Sequence, residues 1–192
     1  MKRKTKSGHK KGQAVMEYLI TYGLALFVIL IVLAILVAVV LPSLQAPETC
    51  QFTQPGFSCS TKKHALVFDE ADNNVKLLFQ LDNQQGKGVK MTGVLCSSEP
   101  PANVEKREVI PLEEYGSTNQ TLAAGQSITF GSAEATVKGN IVCKNEDATD
   151  VVLTPNSNFR GSLAITYKYE DDIPGAPERL AVATVTGIVQ AE

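Results

Sequence analysis

The sequence predicts an α+β protein in which a long N-terminal hydrophobic α-helix precedes an antiparallel, β-sandwich-like head domain. Residues 18–41 are a run of 24 residues without a charge, and about 20 apolar residues in a helix span the ~30 Å hydrocarbon core of a bilayer. The 150 residues from Ser43 onward contain no comparable apolar block. Apolar and polar residues alternate there with a period of two, which is typical of half-buried strands.

The residues before the apolar span are strongly basic. Residues 1–11 contain six Lys or Arg and no acid, so the positive-inside bias keeps this arm cytoplasmic and places the residues after Leu41 outside the membrane. A basic arm before an apolar segment is also typical of a secretory signal. The candidate signal-peptidase cleavage site after the apolar segment, at residues 44–46, is followed directly by Pro47. Ordinary signal peptidase tolerates a proline there poorly, so we expect the apolar helix to be retained.

Within the predicted helix, Glu17 is the one discordant residue. Carboxylates inside a membrane are costly and tend to mark function, although a carboxylate at this edge of the span can also extend into the headgroup region. From Leu24 to Leu41 the residues are apolar on every side, as expected for a helix buried in lipid or among other helices. Pro42 and Pro47 favour the end of the helix.

The segment Lys11-Gly12-Gln13-Ala14-Val15-Met16-Glu17-Tyr18-Leu19 resembles the class III signal peptide of archaeal type IV pilin-like proteins. The resemblance implies that a prepilin peptidase removes the leader, residues 1–12, by cutting between Gly12 and Gln13. It also implies that residues 13–46 form the transmembrane and filament-core helix, with Glu17 as the fifth residue of the mature chain. In such filaments this carboxylate pairs with the α-amine of a neighbouring subunit, here that of Gln13.

The same resemblance implies a set of partners and a location. The chain is expected to form a homopolymer, an archaeal type IV pilus-like filament that serves adhesion, with the help of a pilus assembly ATPase and a membrane platform protein. It would lie in the cell membrane before assembly and on the extracellular surface afterwards. The alternative is a minor pilin-like or membrane-tethered surface protein that binds a ligand without forming long filaments.

The head, residues 47–192, is expected to be β-rich and extracellular. In one predicted strand Leu77, Phe79 and Leu81 share a face, and in another residues 163, 165, 167 and 169 do so. Turn signals rich in Asn, Asp and Gly separate the strands, and residues 98–117 are interpreted as a long surface connection. The predicted strands are residues 64–69, 76–81, 89–96, 126–130, 135–143, 162–169 and 180–190.

The four cysteines all lie in the predicted extracytoplasmic part, where disulfides form. Four cysteines allow three pairings, which sequence alone does not separate. We expect Cys50–Cys59, because a Pro-Gly turn lies between them, and Cys96–Cys143, because each ends an apolar strand. A zinc site is the competing interpretation, but the chain has no Cys-x-x-Cys pair.

No enzymatic function is predicted, and neither a cofactor nor a metal is expected. The chain has no nucleophile elbow, phosphate loop or dinucleotide fingerprint. Three acidic clusters, at residues 69–72, 113–114 and 171–172, are interpreted as solvated loops. Without its leader the chain has 12 basic and 20 acidic residues, a net charge of about −8, which argues against nucleic-acid binding. Asn119 begins a glycosylation sequon in a polar loop and is a possible modification site.

Overall fold

The structure separates the apolar helix from a strand-rich head. A computed structural model describes residues 9–43, 47–132 and 134–191. These fall into two units, Met1–Gln45 and Ala46–Glu192. The first contains helix α1 (His9–Ser43), and the second is a curled, mixed β-sheet. The predicted α+β class is therefore confirmed.

Ten strands and two short 3-10 helices form the described part of the head. The 3-10 helices are Lys106–Glu108 and Leu112–Tyr115. The strands are β1 (Thr49–Phe52), β2 (Phe57–Asp69), β3 (Asn74–Asn83), β4 (Val89–Ser97), β5 (Ile110–Pro111), β6 (Gln120–Leu122), β7 (Ser127–Phe130), β8 (Cys143–Lys144), β9 (Asn158–Tyr169) and β10 (Arg179–Ala191).

The strands form one continuous sheet in the order β5-β4-β9-β10-β2-β3-β7, with β1 paired to β10 and with β6 and β8 paired to β4. Most pairings are antiparallel, as predicted, but β10 runs parallel to β2 and β8 runs parallel to β4. On the side of β4 away from β9, the short strands β6, β5 and β8 follow one another. They cover most of a sheet edge that would otherwise expose unpaired backbone groups.

Strand β10 joins the two halves of the sheet. Residues 179–188 pair with β9, residues 183–186 also pair with β1 on the other side, and residues 189–191 pair with β2. Because a single strand takes part in all three pairings, the sheet curls around one core. The predicted β-sandwich-like arrangement is therefore only partly confirmed.

The inward faces predicted from alternation are confirmed. Leu77, Phe79 and Leu81 are buried, and so are Leu163 and Ile165. They belong to one large hydrophobic cluster that collects side chains from both halves of the sheet. Phe79 and Phe130, directly opposite each other on β3 and β7, stack with ring centroids 4.5 Å apart. Alternation in these strands therefore identifies the core face.

The segment predicted as a surface connection, residues 98–117, also contributes to packing. Val104 and Val109 are buried against Leu95, Ala164 and Val182, on the outer face of the sheet. A second, smaller core thus lies beneath this segment, and β9 is buried on both faces along much of its length.

One predicted strand is wrong. Residues 135–143 have the expected alternation of buried and exposed side chains, but only Cys143 belongs to a strand. The rest makes isolated bridges, Val137 to Phe130 and Val142 to Lys76. A side chain at Gly139 would collide with Tyr115. The segment therefore leaves β7, passes close to this tyrosine and then reaches β3, so no continuous ladder forms.

Candidate functional site

Helix α1 carries the largest exposed apolar surface in the described part of the chain. Residues Tyr18–Val39 are long and apolar enough to cross a membrane, and none of this segment is buried within the protein. Its large apolar side chains are between 42% (Ile31) and 69% (Tyr18) exposed. A helix that is apolar on all sides requires lipid or other apolar helices around it. A membrane anchor and a signal sequence share these properties, and both are consistent with a membrane or surface location.

The residues expected to direct processing and assembly lie near the start of this helix. Gly12, Gln13 and Glu17 all have helical backbone within α1. Their side chains lie outside the part that the structure describes, so the expected cleavage and assembly roles stay predictions. Tyr18, directly after Glu17, and Tyr22, one turn further on, stack with ring centroids 6.1 Å apart, which forms an aromatic pair at this end of the apolar span.

The two expected disulfides are present. Cys50 and Cys59 join β1 to β2, with Cα atoms 5.6 Å apart. Cys96 and Cys143 are directly opposite each other on the parallel strands β4 and β8, with Cα atoms 4.4 Å apart. All four cysteines are buried and none is free, so no thiolate remains for the zinc alternative.

Both acidic residues of the cluster at 171–172, in the β9–β10 loop, are held in ion pairs. The Arg179 guanidinium binds both carboxylate oxygens of Asp172, with 3.1 Å between Nη2 and Oδ1, and lies 4.4 Å from the ring centroid of Tyr169. Its hydrogen bonds lower the pKa of the Asp172 carboxyl. Lys87 Nζ lies 2.6 Å from Asp171 Oδ2. Each carboxylate has a cationic partner, which indicates a structural role for this cluster.

The acidic cluster at residues 69–72 is only partly solvated, so that prediction needs a correction. Glu70 and Asp72 are exposed, but Asp69 is buried and forms an ion pair with Lys76, which is also buried. Asp69 Oδ1 also accepts a hydrogen bond from the backbone N–H of Ala71 (2.9 Å). The hairpin from β2 to β3 brings the two charges together, which sequence spacing alone did not indicate.

Asn119 lies in the connection between the second 3-10 helix and β6. It is half-buried and lines a shallow depression together with Lys106 and Glu113. The hydroxyl-bearing residue of the sequon, Thr121, is exposed on β6. Glycosylation of Asn119 stays a prediction.

A further pocket, the acidic pocket, was missed from the sequence. It has a volume of about 170 Å³ and opens on the outer face of β4. The buried Leu95 and Ser97 lie at its floor, and the 3-10 helix Lys106–Glu108 and the turn at 145–148 lie beside it. Its lining residues are Leu95, Ser97, Glu99, Glu108, Ile110, Lys144, Asn145, Glu146 and Ala148.

Two glutamates of the acidic pocket, Glu108 and Glu146, act on a third, Glu99. Desolvation raises the pKa of the Glu99 carboxyl, and the negative charges of Glu108 and Glu146 raise it further. The sequence signal was weak, because Glu99 and Glu108 lie in the segment interpreted as a surface connection, and Glu146 follows β8 nearly 40 residues later. Only the fold brings these acids to one place.

Among the residues that the structure describes, no group of three or more His, Cys, Asp or Glu is arranged to hold a metal ion. His64, on β2, is half-buried, and its Nε2 lies 3.5 Å from the carbonyl oxygen of Thr186. No family model, curated protein or solved structure matches this chain.

Proposed function

We propose that the chain is the structural subunit of an archaeal type IV pilus-like surface filament that serves adhesion. In this proposal residues 13–46 anchor the subunit in the membrane and later form the filament core, and a sandwich-like head faces outward. The observation that carries the proposal is the exposed apolar surface of α1 directly after a Lys-Gly-Gln-x-x-x-Glu sequence. Such a surface needs either lipid or identical helices around it, and a filament subunit uses first one and then the other.

The composition of the head supports the proposal. Two disulfides favour an oxidising compartment, and the basic arm before α1 favours a topology in which the head is outside the cell. The head therefore has the character of an extracellular domain. The described part of the head has few exposed large apolar side chains, namely Val152 and Ile173, so the apolar surface available for assembly lies on the helix.

The position of Glu17 supports a specific assembly step. A carboxylate beside the apolar span is unfavourable in lipid, and its cost is offset when a cation pairs with it. After cleavage at Gly12, the new α-amine of Gln13 supplies that cation from a neighbouring subunit. This pairing would fix the stagger between adjacent helices.

The test replaces this carboxylate and examines both processing and assembly. We expect Glu17→Ala to be cleaved after Gly12 and to accumulate in the membrane without filaments, because the substitution makes the helix more apolar but removes the partner of the amine. Intact mass determines whether the mature chain begins at Gln13, and negative-stain microscopy of sheared surface fractions reports filaments. The control is Glu48→Ala, which removes a carboxylate on the opposite side of the apolar span and should leave filament yield unchanged.

Three results would contradict the proposal. A mature chain that retains Met1, or that starts beyond Leu41, rules out a pilin-like leader. Normal filament yield from Glu17→Ala rules out the charge pairing. A processed chain that remains in the membrane without filaments, in the unmutated protein as well, identifies the tethered ligand-binding alternative.

A further inference from the structure

The acidic pocket has the features of a binding site for an organic cation. Leu95, Ile110 and Ala148 supply apolar walls, and its volume of about 170 Å³ is far above the ~15 Å³ that accommodates one water. Ligand sites are typically concave and mostly apolar, with a few polar groups that set specificity. Here those groups include Glu99, Glu108 and Glu146, and no described Lys or Arg lies within ion-pair distance of them.

We propose that the acidic pocket binds a lysine side chain offered by a partner protein, with the aliphatic stem against the apolar walls and the ammonium group among the three glutamates. This proposal concerns the outer face of β4 and does not depend on filament assembly.

The arrangement of the carboxylates favours an ammonium ion on a stem over a bare metal ion. Glu99 is half-buried, whereas Glu108 and Glu146 are exposed, so the acids are distributed from the wall to the rim. They do not converge closely enough to hold a metal. An ammonium group has three rotatable donors and can bind acceptors in several directions, whereas a guanidinium requires a planar, two-pronged partner. Lysine therefore suits this site better than arginine.

The pocket's own lysine does not neutralise these acids. Lys144 lines the pocket, but its ammonium group pairs with Asp150. Asn74 Nδ2 donates a further hydrogen bond to the same carboxylate, at 3.2 Å. These bonds lower the pKa of Asp150, so it stays ionised and keeps Lys144 engaged. The charge of the three glutamates is thus left for an external cation.

Two features hold the pocket open without a ligand. The turn beside it is closed by backbone hydrogen bonds from Asn145 N–H to the Thr149 carbonyl (2.8 Å) and from Ala148 N–H to the Asn145 carbonyl (3.0 Å). The opposite wall is fixed because Glu105 N–H donates to Glu108 Oε2 at 2.9 Å. A preformed site loses less entropy on binding.

The experiment titrates the full chain, ¹⁵N-labelled in detergent micelles, with N-acetyl-lysine methylamide. The matched ligand control is N-acetyl-norleucine methylamide, which has the stem without the charge. We expect shifts at the backbone amides of residues 97–99 and 145–148, and at least about fivefold weaker binding of the norleucine compound. Glu99→Gln should weaken binding of the lysine compound about fivefold, whereas Glu134→Gln, an exposed acid outside the pocket, should not change it.

Added salt should weaken binding as well, because the attraction is between charges. Equal binding of the lysine and norleucine compounds overturns the proposal, and so does unchanged binding to Glu99→Gln or a set of shifts elsewhere on the head. Binding of free 1,4-diaminobutane at least tenfold tighter than the lysine compound also overturns it, because the pocket would then serve a free diamine.

Discussion

Replacement of Cys96 and Cys143 together by alanine should be the most damaging change to the covalent framework of the head. The bond joins residues 47 apart in the chain, whereas Cys50–Cys59 joins residues 9 apart. In the loop-entropy model these separations correspond to about 4 and about 2.6 kcal/mol of stabilisation at 25 °C. The long-range pair should therefore contribute roughly 1.5 kcal/mol more than the local one.

Guanidinium unfolding of the full chain in detergent micelles measures this difference. The chain has no Trp, so the sheet signal in circular dichroism is the appropriate probe. Alanine at two fully buried positions also removes packing sulfur atoms, which adds a cavity cost. The Cys50→Ala/Cys59→Ala variant, measured with Cys96–Cys143 oxidised and then reduced, keeps those sulfur atoms in both states and serves as the control that isolates this cross-link.

The result that would refute this reasoning is an equal or larger loss for the Cys50→Ala/Cys59→Ala double variant than for the Cys96→Ala/Cys143→Ala variant. The main source of the stabilisation would then be native-state packing around Cys50, and not the loss of loop-closure entropy in the unfolded chain.

Two further predictions concern the head. Hydrogen bonds from Arg179 lower the pKa of Asp172, so this pair stabilises the fold fully above the unfolded carboxyl pKa of about 3.9 and loses its effect as the pH falls through the lower folded value. In acid unfolding curves the difference in free energy of unfolding between wild type and Asp172→Asn should disappear in that pH window. The exposed Asp72→Asn serves as the control. A difference that is constant with pH, or one that is equally present for the control, would show that the Arg179–Asp172 pair is not its source. Residues 47–192 expressed without the helix should be soluble, monomeric, disulfide-bonded and sheet-rich by circular dichroism; aggregation or free thiols in the oxidised preparation would contradict an independent head.

The sequence was sufficient to predict which face of β3 and of β9 meets the large core, but not that β9 is buried on its other face as well. Leu77 and Phe79 on β3, and Leu163 and Ile165 on β9, recur at every second position, and side chains that share one face of a strand have that period. The same information failed at residues 135–143, which bury alternate side chains without a ladder. Alternation thus reports burial, and it does not specify a hydrogen-bonded partner strand.

The sequence did not reveal the relative direction of paired strands, nor which distant charged residues the fold brings together. The parallel pairing of β10 with β2 leaves no local signal, because side chains alternate in the same way in either direction. The burial of Asp69 depends on Lys76, across the hairpin, and the acidic pocket depends on Glu146 reaching Glu99. Each requires the tertiary fold to place a distant charge, so composition alone suggested only solvated loops.

The placement of Cys50 limits what tension on the helix can do to the head. A pull transmitted along the chain from α1 first reaches residues 47–49, where Thr49 Oγ1 and the Pro47 carbonyl oxygen each lie 2.7 Å from Thr186 Oγ1. If those contacts break, the chain lengthens by only about 10 Å before the load reaches Cys50 and passes through a covalent bond into β2. Separation of the chain from the sheet therefore ends at Cys50. The head can therefore bear a force that would strip a hydrogen-bonded terminal strand from the sheet.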